Sequence, residues 1–352
     1  MDGGLACAVG VVCFAEYRAT QEQEAIAKSR DVLVAKHGLM PTADKRLSPE
    51  YFDKNGRLMA DPPLDAEKLL DPDTVVLAHY VDTDVDVQPV DWEGFREKLA
   101  SVTGKKIVLQ PYDNSADDVA AVKAGRIHVV ALHGADTPYI VNNAGFIPVA
   151  VLGTSTGPHG NHLDIAVRAK SDIRSLADLR DRTLTCTAPD SITGYRAAIV
   201  VLSQEAGLRP GVDYTVSFSH GPKLSVLGVA SGDFEAAALS DDKLQSLLKK
   251  GKIKESDYRV IYESAVIPRV TIGYVYNLQP GLAAKITATA LDFANEQGAP
   301  EEPGDEPMRF FPLDYKKDFE FVRKMDNSFD PRFRKAMKSK ATRSPDIIST
   351  EQ

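Results

Sequence analysis

Apolar residues in this chain gather in short runs, separated by stretches where they return every third or fourth position. The runs Thr74 to His79, Lys106 to Gln110, Ile127 to Leu132 and Phe146 to Leu152 predict buried strands. Between the first two, Trp92, Phe95 and Leu99 stand at i, i+3 and i+7 and predict one helical stripe belonging to a core. Ala116 to Ala124 reads as a second helix with Gly125 as its C-cap. Strand, helix, strand, helix, strand is the rhythm of a parallel βαβ sheet. Asp164 to Val167 continues as a strand. A second unit of the same parts follows: a short helix at Ser175 to Asp181, strands at Thr183 to Thr187, Tyr214 to Phe218 and Glu235 to Leu239, and helices at Leu224 to Ala230 and Lys243 to Lys250. Ser240, Asp241 and Asp242 cap the last of these helices. Strands at Tyr258 to Tyr262 and Val270 to Tyr276 lead to a helical tail from Gly281 to Phe293. Ahead of all this, Ala19 to Lys36 predicts one amphipathic helix with apolar Ile26, Val32 and Leu33. His37 to Pro72, rich in Pro, Asp, Gly and Lys, predicts an irregular arm.

The stretch Thr183 to Gly207 organises the rest. A β-branched strand passes through Pro189 into a helix marked by Ala197, Val200, Val201 and Leu202, so Ser191, Thr193 and Gly194 stand at a helix N-terminus. Backbone N–H groups there lack intrahelical partners and carry partial positive charge. Two hydroxyls and a glycine at that position suit a small oxyanion. The plainer reading of the same residues is an N-cap at Asp190 or Ser191. His133, Thr137 and Tyr139 follow a strand's carboxyl end, where open α/β sheets bind ligands, though the plainer reading of each taken singly is an ordinary loop residue. His220 likewise follows a strand.

Composition narrows the function. With 352 residues, 43% of them hydrophobic, the chain has enough material for two lobes. A net charge of −8 and the lack of basic clusters argue against a nucleic-acid partner. A local nest of donors still binds a small anion within an acidic protein. Three cysteines, Cys7, Cys13 and Cys186, make neither a disulfide framework nor a metal site, and no CxxC or HExxH pattern occurs, so no metal or cofactor is expected. The apolar segment Leu5 to Ala15 has the length of a signal-peptide core but no basic residues before it, which leaves a secretion signal, an anchor or a short buried element as readings.

Several ordered blocks, TGKKIVLQ, AVKAGRIHVVALHG, NNAGFIPVA, IRSLADLRDRTLTCTAPDSITGY, VLGVASGDFEAAAL, GKIKESDYRVIYES and FFPLDYKKDFEFVRK, resemble the PhnD-like substrate-binding proteins of ABC importers for phosphonate, phosphite or phosphate. The resemblance runs from about Leu70 to Lys324. It implies an α/β, periplasmic-binding-protein-like (type II) bilobal fold, two βα lobes joined by two crossover strands near Asp164 to Arg168 and Val266 to Gly273. Lobe I would hold 71–163 and 271–352, lobe II 164–270, behind an N-terminal segment at 1–36 and an arm at 37–70. The family's hydroxyl loop falls on Pro189, Ser191, Thr193, Gly194 and Tyr195, with Ile192 where some members carry a third hydroxyl. A family histidine aligns with Pro222, two residues beyond His220, and Lys223 is an alternative charge partner. Asp241 matches an acceptor for a protonated oxyanion or an amino group, and Thr137 and Tyr139 would lie on the facing wall.

The resemblance thus implies a binding protein without catalysis: an extracytoplasmic receptor that closes on a phosphorus oxyanion and delivers it to an ABC transporter permease. An enzyme on the same lobes would need an acid/base pair, for which His133 or His220 beside Asp241 are the residues at hand. A ligand sensor on the same fold is the third reading, and adjacent permease and ATPase genes would favour the importer over it.

Overall fold

The computed structural model describes residues 20–29, 31–40, 47–81, 90–112, 116–295 and 308–329. The leading segment Leu5 to Ala15, with Cys7 and Cys13, lies outside them. Residues 20–29 and 31–36 form a helix, α1. Its expected apolar face is not buried, since Ile26, Val32 and Leu33 are all exposed. The amphipathic pattern predicts the helix, and next to these exposed residues Val34 packs partly buried against the core. Among the described residues of the arm, Ala66–Lys68 forms a 3₁₀ turn and Leu39 and Leu70 make isolated β-bridges.

In chain order the first strands and helices are β1 (Thr74–Tyr80), α2 (Trp92–Thr103), β2 (Lys106–Tyr112), α3 (Ala116–Lys123), β3 (Val129–His133), α4 (Thr137–Ala144) and β4 (Phe146–Thr154). Short strands β5 (Gly157–Pro158) and β6 (Gly160–Asn161) lead to β7 (Leu163–Arg168) and β8 (Thr183–Cys186). Next come α5 (Ala198–Glu205), β9 (Thr215–Phe218), α6 (Pro222–Ser231), β10 (Ala236–Ser240), α7 (Asp241–Lys249) and β11 (Tyr258–Glu263). The chain returns through β12 (Ile267–Pro268), β13 (Val270–Val275), α8 (Pro280–Asp292), β14 (Arg309–Pro312), α9 (Tyr315–Asp318) and α10 (Glu320–Asn327).

Two sheets result. The first has the order β14-β4-β13-β3-β1-β2, with β5 attached to β4, and the second β11-β7-β10-β8-β9. β1 is parallel to both β2 and β3, as the βαβ rhythm predicts. The sheet as a whole is mixed, because β13 returns antiparallel between β3 and β4. In the second sheet β8 is parallel to β9 and β10, while β7 is antiparallel to β10 and β11. Asp164 to Arg168, expected as a crossing, therefore lies inside the second sheet, and Thr271 to Gly273 lies inside the first. The residues between the sheets pair as a separate ribbon, Ile267 opposite Asn161 and Pro268 opposite Gly160.

The predicted helical stripe is buried as read: Trp92, Phe95 and Leu99 are 6%, 0% and 0% exposed. Asp91 caps α2 by accepting the Gly94 N–H at 2.9 Å, and Gly104 ends it in the left-handed conformation. Phe95 meets Phe293 edge to face at 5.2 Å, so the returning α8 closes the core begun by the N-terminal strands. Cys186 is buried at the end of β8, and its thiol is pushed upward in pKa by burial.

Candidate functional site

Parallel strands aim their carboxyl ends at one edge, and in the second sheet three of them do so together. β8 runs into Thr187 and passes through Pro189 to the helix carrying Ser191; β9 ends before His220 and α6; β10 ends at Ser240 and α7. Three helix starts therefore face the same space. They form one wall of a cleft of about 450 Å³ whose lining includes Thr187, Asp190, Ser191, Thr193, Gly194 and His220. Tyr80 and His133, at the carboxyl ends of β1 and β3, line it from the first sheet. Asn161 on β6 and Arg269 just after β12 line it from the connecting ribbon.

The first turn after Ser191 is a π-turn, Ile192–Ala197, in which the Arg196 N–H bonds the Ser191 carbonyl at 3.1 Å before α5 continues. Ser191 Oγ accepts the Gly194 N–H at 3.0 Å. An accepting cap uses an oxygen lone pair and leaves the hydroxyl proton to donate elsewhere. Capping and ligand binding by Ser191 are thus compatible rather than alternative. Gly194 lines the cleft, yet the direction its missing Cβ would take is filled by Thr187 Oγ1. The glycine is required by the close approach of helix and strand, with Thr187 N–H bonded to the Gly194 carbonyl at 3.0 Å. Behind this wall, buried Ser219 and Ser225 share a hydrogen bond of 2.6 Å and bring a further polar layer to Thr187.

Charge on the wall is balanced. Lys243 pairs with Asp242 at 3.2 Å, and Arg269 and Asp190 add one formal charge of each sign to the lining. What the cleft wall presents is donors at helix starts rather than net positive charge. His220 is exposed and holds a left-handed backbone with φ of 61°, which turns the chain into α6. Pro222, the first residue of α6, also lines the cleft, whereas Lys223 does not.

Four residues expected at the site stand off the cleft wall. Thr137 is wholly buried at the start of α4, because the segment read as a loop after β3 folds into a 3₁₀ turn, Gly134–Asp136, and then a helix that also carries Tyr139. Tyr195 is 2% exposed, stacks edge to face on Phe218 at 5.2 Å, and places its hydroxyl 2.9 Å from His37 Nδ1. Helical rotation carries it behind the loop that Ser191 opens. Asp241 accepts the His162 N–H at 2.8 Å and returns its own N–H to the His162 carbonyl, tying α7 to the segment between β6 and β7. Its carboxyl is raised in pKa, first by burial. Asp241 thus bonds the His162 backbone, while His133 Nδ1 accepts the Ala135 N–H.

Next to Asp241 lies Asp164, 3% exposed on β7, with Oδ1 unbonded. Burial, then the negative charges of Asp241 and Glu263, push its carboxyl up to about 7, against a smaller opposing effect of His162.

Sequence reasoning missed Tyr80, Thr187, Asn161, Arg269 and the Asp242–Lys243 pair as wall residues. Thr187 was in view as the last β-branched residue of its strand. Asn161 and Arg269 carried no local signal, because their place depends on a ribbon paired across more than a hundred residues.

Known proteins show similarity at two levels. Solved structures include a Xanthomonas citri protein bound to ATP, 16% identical over 77% of this chain and 96% of its own, with a TM-score of 0.48. PhnD1 from Prochlorococcus marinus in complex with methylphosphonate is 13% identical over 78% of this chain and 100% of its own, at 0.42. The periplasmic aliphatic sulphonate binding protein SsuA from Escherichia coli is 13% identical over 80% and 96%, at 0.39. The family described as "ABC transporter, phosphonate, periplasmic substrate-binding protein" matches residues 81–305, more than half of the sequence. The chain therefore belongs to the phosphonate-type periplasmic substrate-binding proteins of ABC transporters, a family of transport receptors rather than enzymes.

Proposed function

We propose that the cleft takes up a phosphorus oxyanion, phosphonate, phosphite or phosphate, for delivery to an ABC permease outside the cytoplasm. The observation that carries this reading is the convergence of three helix starts and the Ser191 and Thr193 hydroxyls on one cleft wall. Ser191 donates its remaining proton to the anion, Thr193 adds a second hydroxyl, and backbone N–H groups of the π-turn supply partial positive charge. Arg269 and His133 approach from the opposite side. The division into lobe I, 71–163 with 271–352, and lobe II, 164–270, allows hinge closure around the ligand. Thr137, Tyr139, Tyr195 and Asp241 serve this site from behind its walls, holding the elements that line it.

A thermal-shift screen of the full chain against phosphate, phosphite, alkyl and aminoalkyl phosphonates, sulfate and taurine tests the reading. A ligand that binds the folded state alone raises the Tm with its saturation. The expected result is a shift with one phosphorus oxyanion that disappears in the Ser191→Ala, Thr193→Ala double variant. A shift with sulfate or taurine alone would replace phosphorus by sulfur, and no shift across the panel would remove the anion site.

A further inference from the structure

Beyond the ribbon of β6 and β12, a second pair of chain segments joins the two sheets' surroundings, far from it in sequence. The C-terminal helix α10 packs against α4 on the first sheet's side, and the chain then runs on through Ser328 and Phe329. Phe329 lies beneath the guanidinium of Arg196, 5.0 Å from ring centre to Cζ, and Ser328 Oγ accepts the Gln204 side-chain amide at 2.8 Å. Arg196 belongs to the π-turn and Gln204 to α5, both on the second sheet's side. Running antiparallel to this segment, Leu39 bridges Phe329 and the Met40 N–H bonds the Ser328 carbonyl at 2.9 Å. Two residues earlier, His37 meets the Tyr195 hydroxyl; a few residues later, the Ser48 N–H bonds the Asn142 carbonyl of α4 at 2.8 Å. Leu39 and Phe329 are both buried.

The consequence for the ligand loop is direct. Tyr195 and Arg196 sit one turn after Ser191 in the same π-turn, and the Arg196 N–H is bonded to the Ser191 carbonyl. Contacts on Tyr195 and Arg196 therefore fix where the Ser191 and Thr193 side chains stand relative to His133 and Tyr80 across the cleft. We infer that His37, Ser328 and Phe329 are positioning residues, forming a second interlobe tie that holds the ligand-bearing π-turn in place against the first lobe. They touch no ligand. Their effect on affinity rests on the oxyanion reading above, whereas their effect on lobe geometry does not.

The test separates the two. Spin labels are placed by Lys285→Cys on α8 and Lys250→Cys at the end of α7, both exposed, in a full chain carrying Cys7→Ser and Cys13→Ser; Cys186 is buried. Without any ligand, Phe329→Ala is expected to broaden and shift the interlobe distance distribution, and Phe329→Tyr, which keeps a ring under Arg196, to leave it as it was. With methylphosphonate and inorganic phosphate as probes, Phe329→Ala is expected to weaken binding about tenfold, by lowering the fraction of molecules with the loop correctly placed. Should Phe329→Ala not fold, His37→Ala with Gln204→Ala, which removes the tie's His37–Tyr195 and Gln204–Ser328 contacts, is read in its place. An unchanged ligand-free distribution in the folded variant overturns the tie. A changed distribution with neither probe binding the parent protein leaves the tie standing and removes the oxyanion reading instead.

Discussion

The two walls of the cleft are built in different ways. The wall from the second sheet is made of strand ends that run straight into helix starts, so Ser191, Thr193 and Gly194 come from one short stretch with its own turn chemistry. The opposite wall takes Tyr80 from β1, His133 from β3, Asn161 from β6 and Arg269 from beyond β12, four places far apart in the chain. The first wall is a local motif supported by a parallel sheet; the second is a product of topology. Under the proposed reading the first wall would bind the anion's head and the second would complete the enclosure on closure.

The largest expected effect falls on the local wall. Ser191→Ala with Thr193→Ala removes two hydrogen bonds to a charged group and lowers affinity for the phosphorus oxyanion by about 3 kcal/mol or more, measurable by titration calorimetry. Arg269→Ala on the topological wall costs about 2 kcal/mol, and Arg269→Lys recovers a part of it, because the ammonium keeps the charge but loses the guanidinium's fork. A loss at Arg269 exceeding that of the double variant would invert the comparison and make the assembled wall the dominant one.

Gly194→Ala sharpens it from the side of stability. A Cβ there meets Thr187, and overpacking of this kind costs roughly 1–3 kcal/mol, seen in denaturant unfolding. Thr187→Ala in the same chain returns part of the loss, since Thr187 Oγ1 is the nearest atom to the added group.

At the boundary between the two regions, Asp164 makes a prediction about pH. In the unfolded chain its carboxyl titrates near 3.8, and in the fold it is pushed up to about 7. The unfolded state thus gives up its proton first as pH rises, and stability present below pH 4 is progressively lost toward pH 7. Asp164→Asn removes this slope, and unfolding midpoints measured at pH 4 and pH 7 would draw together; equal slopes in variant and parent would show that the carboxyl does not titrate in this range. The smallest effect is expected at His220. It is exposed, so His220→Ala changes affinity by under about 1 kcal/mol. A larger loss would assign it to the ligand rather than to the turn into α6.

The pattern of apolar residues placed most of the longer strands and helices to within a few positions, though not α4, β14, α9 or α10, because those it found have their own period and their own caps: Asp91 and Gly104 on α2, Ser175 on its 3₁₀ turn, Gly125 after α3. It failed where one local signal had two physical meanings. Ile26, Val32 and Leu33 of α1 have helical spacing but face solvent, and the polar stretch after β3 that reads as a loop starts a helix through Pro138, a residue at home in a first turn. Tyr195 was singled out correctly as part of the loop, yet the π-turn's rotation directs it toward His37 and Phe218 instead of the cleft.

The sequence by itself determined the α/β class, the family and the hydroxyl-bearing helix start, since all of these depend on neighbours within one element or on residue patterns within one stretch of chain. Tertiary structure alone decided that β13 runs antiparallel into the first sheet, that Asn161 and Arg269 meet on the cleft, and that Phe329 comes to rest under Arg196. The reason is physical: hydrogen bonds within a turn or helix are written in adjacent residues, whereas pairing across a hundred or more residues is set by how the whole apolar surface is buried, and no local spacing records it.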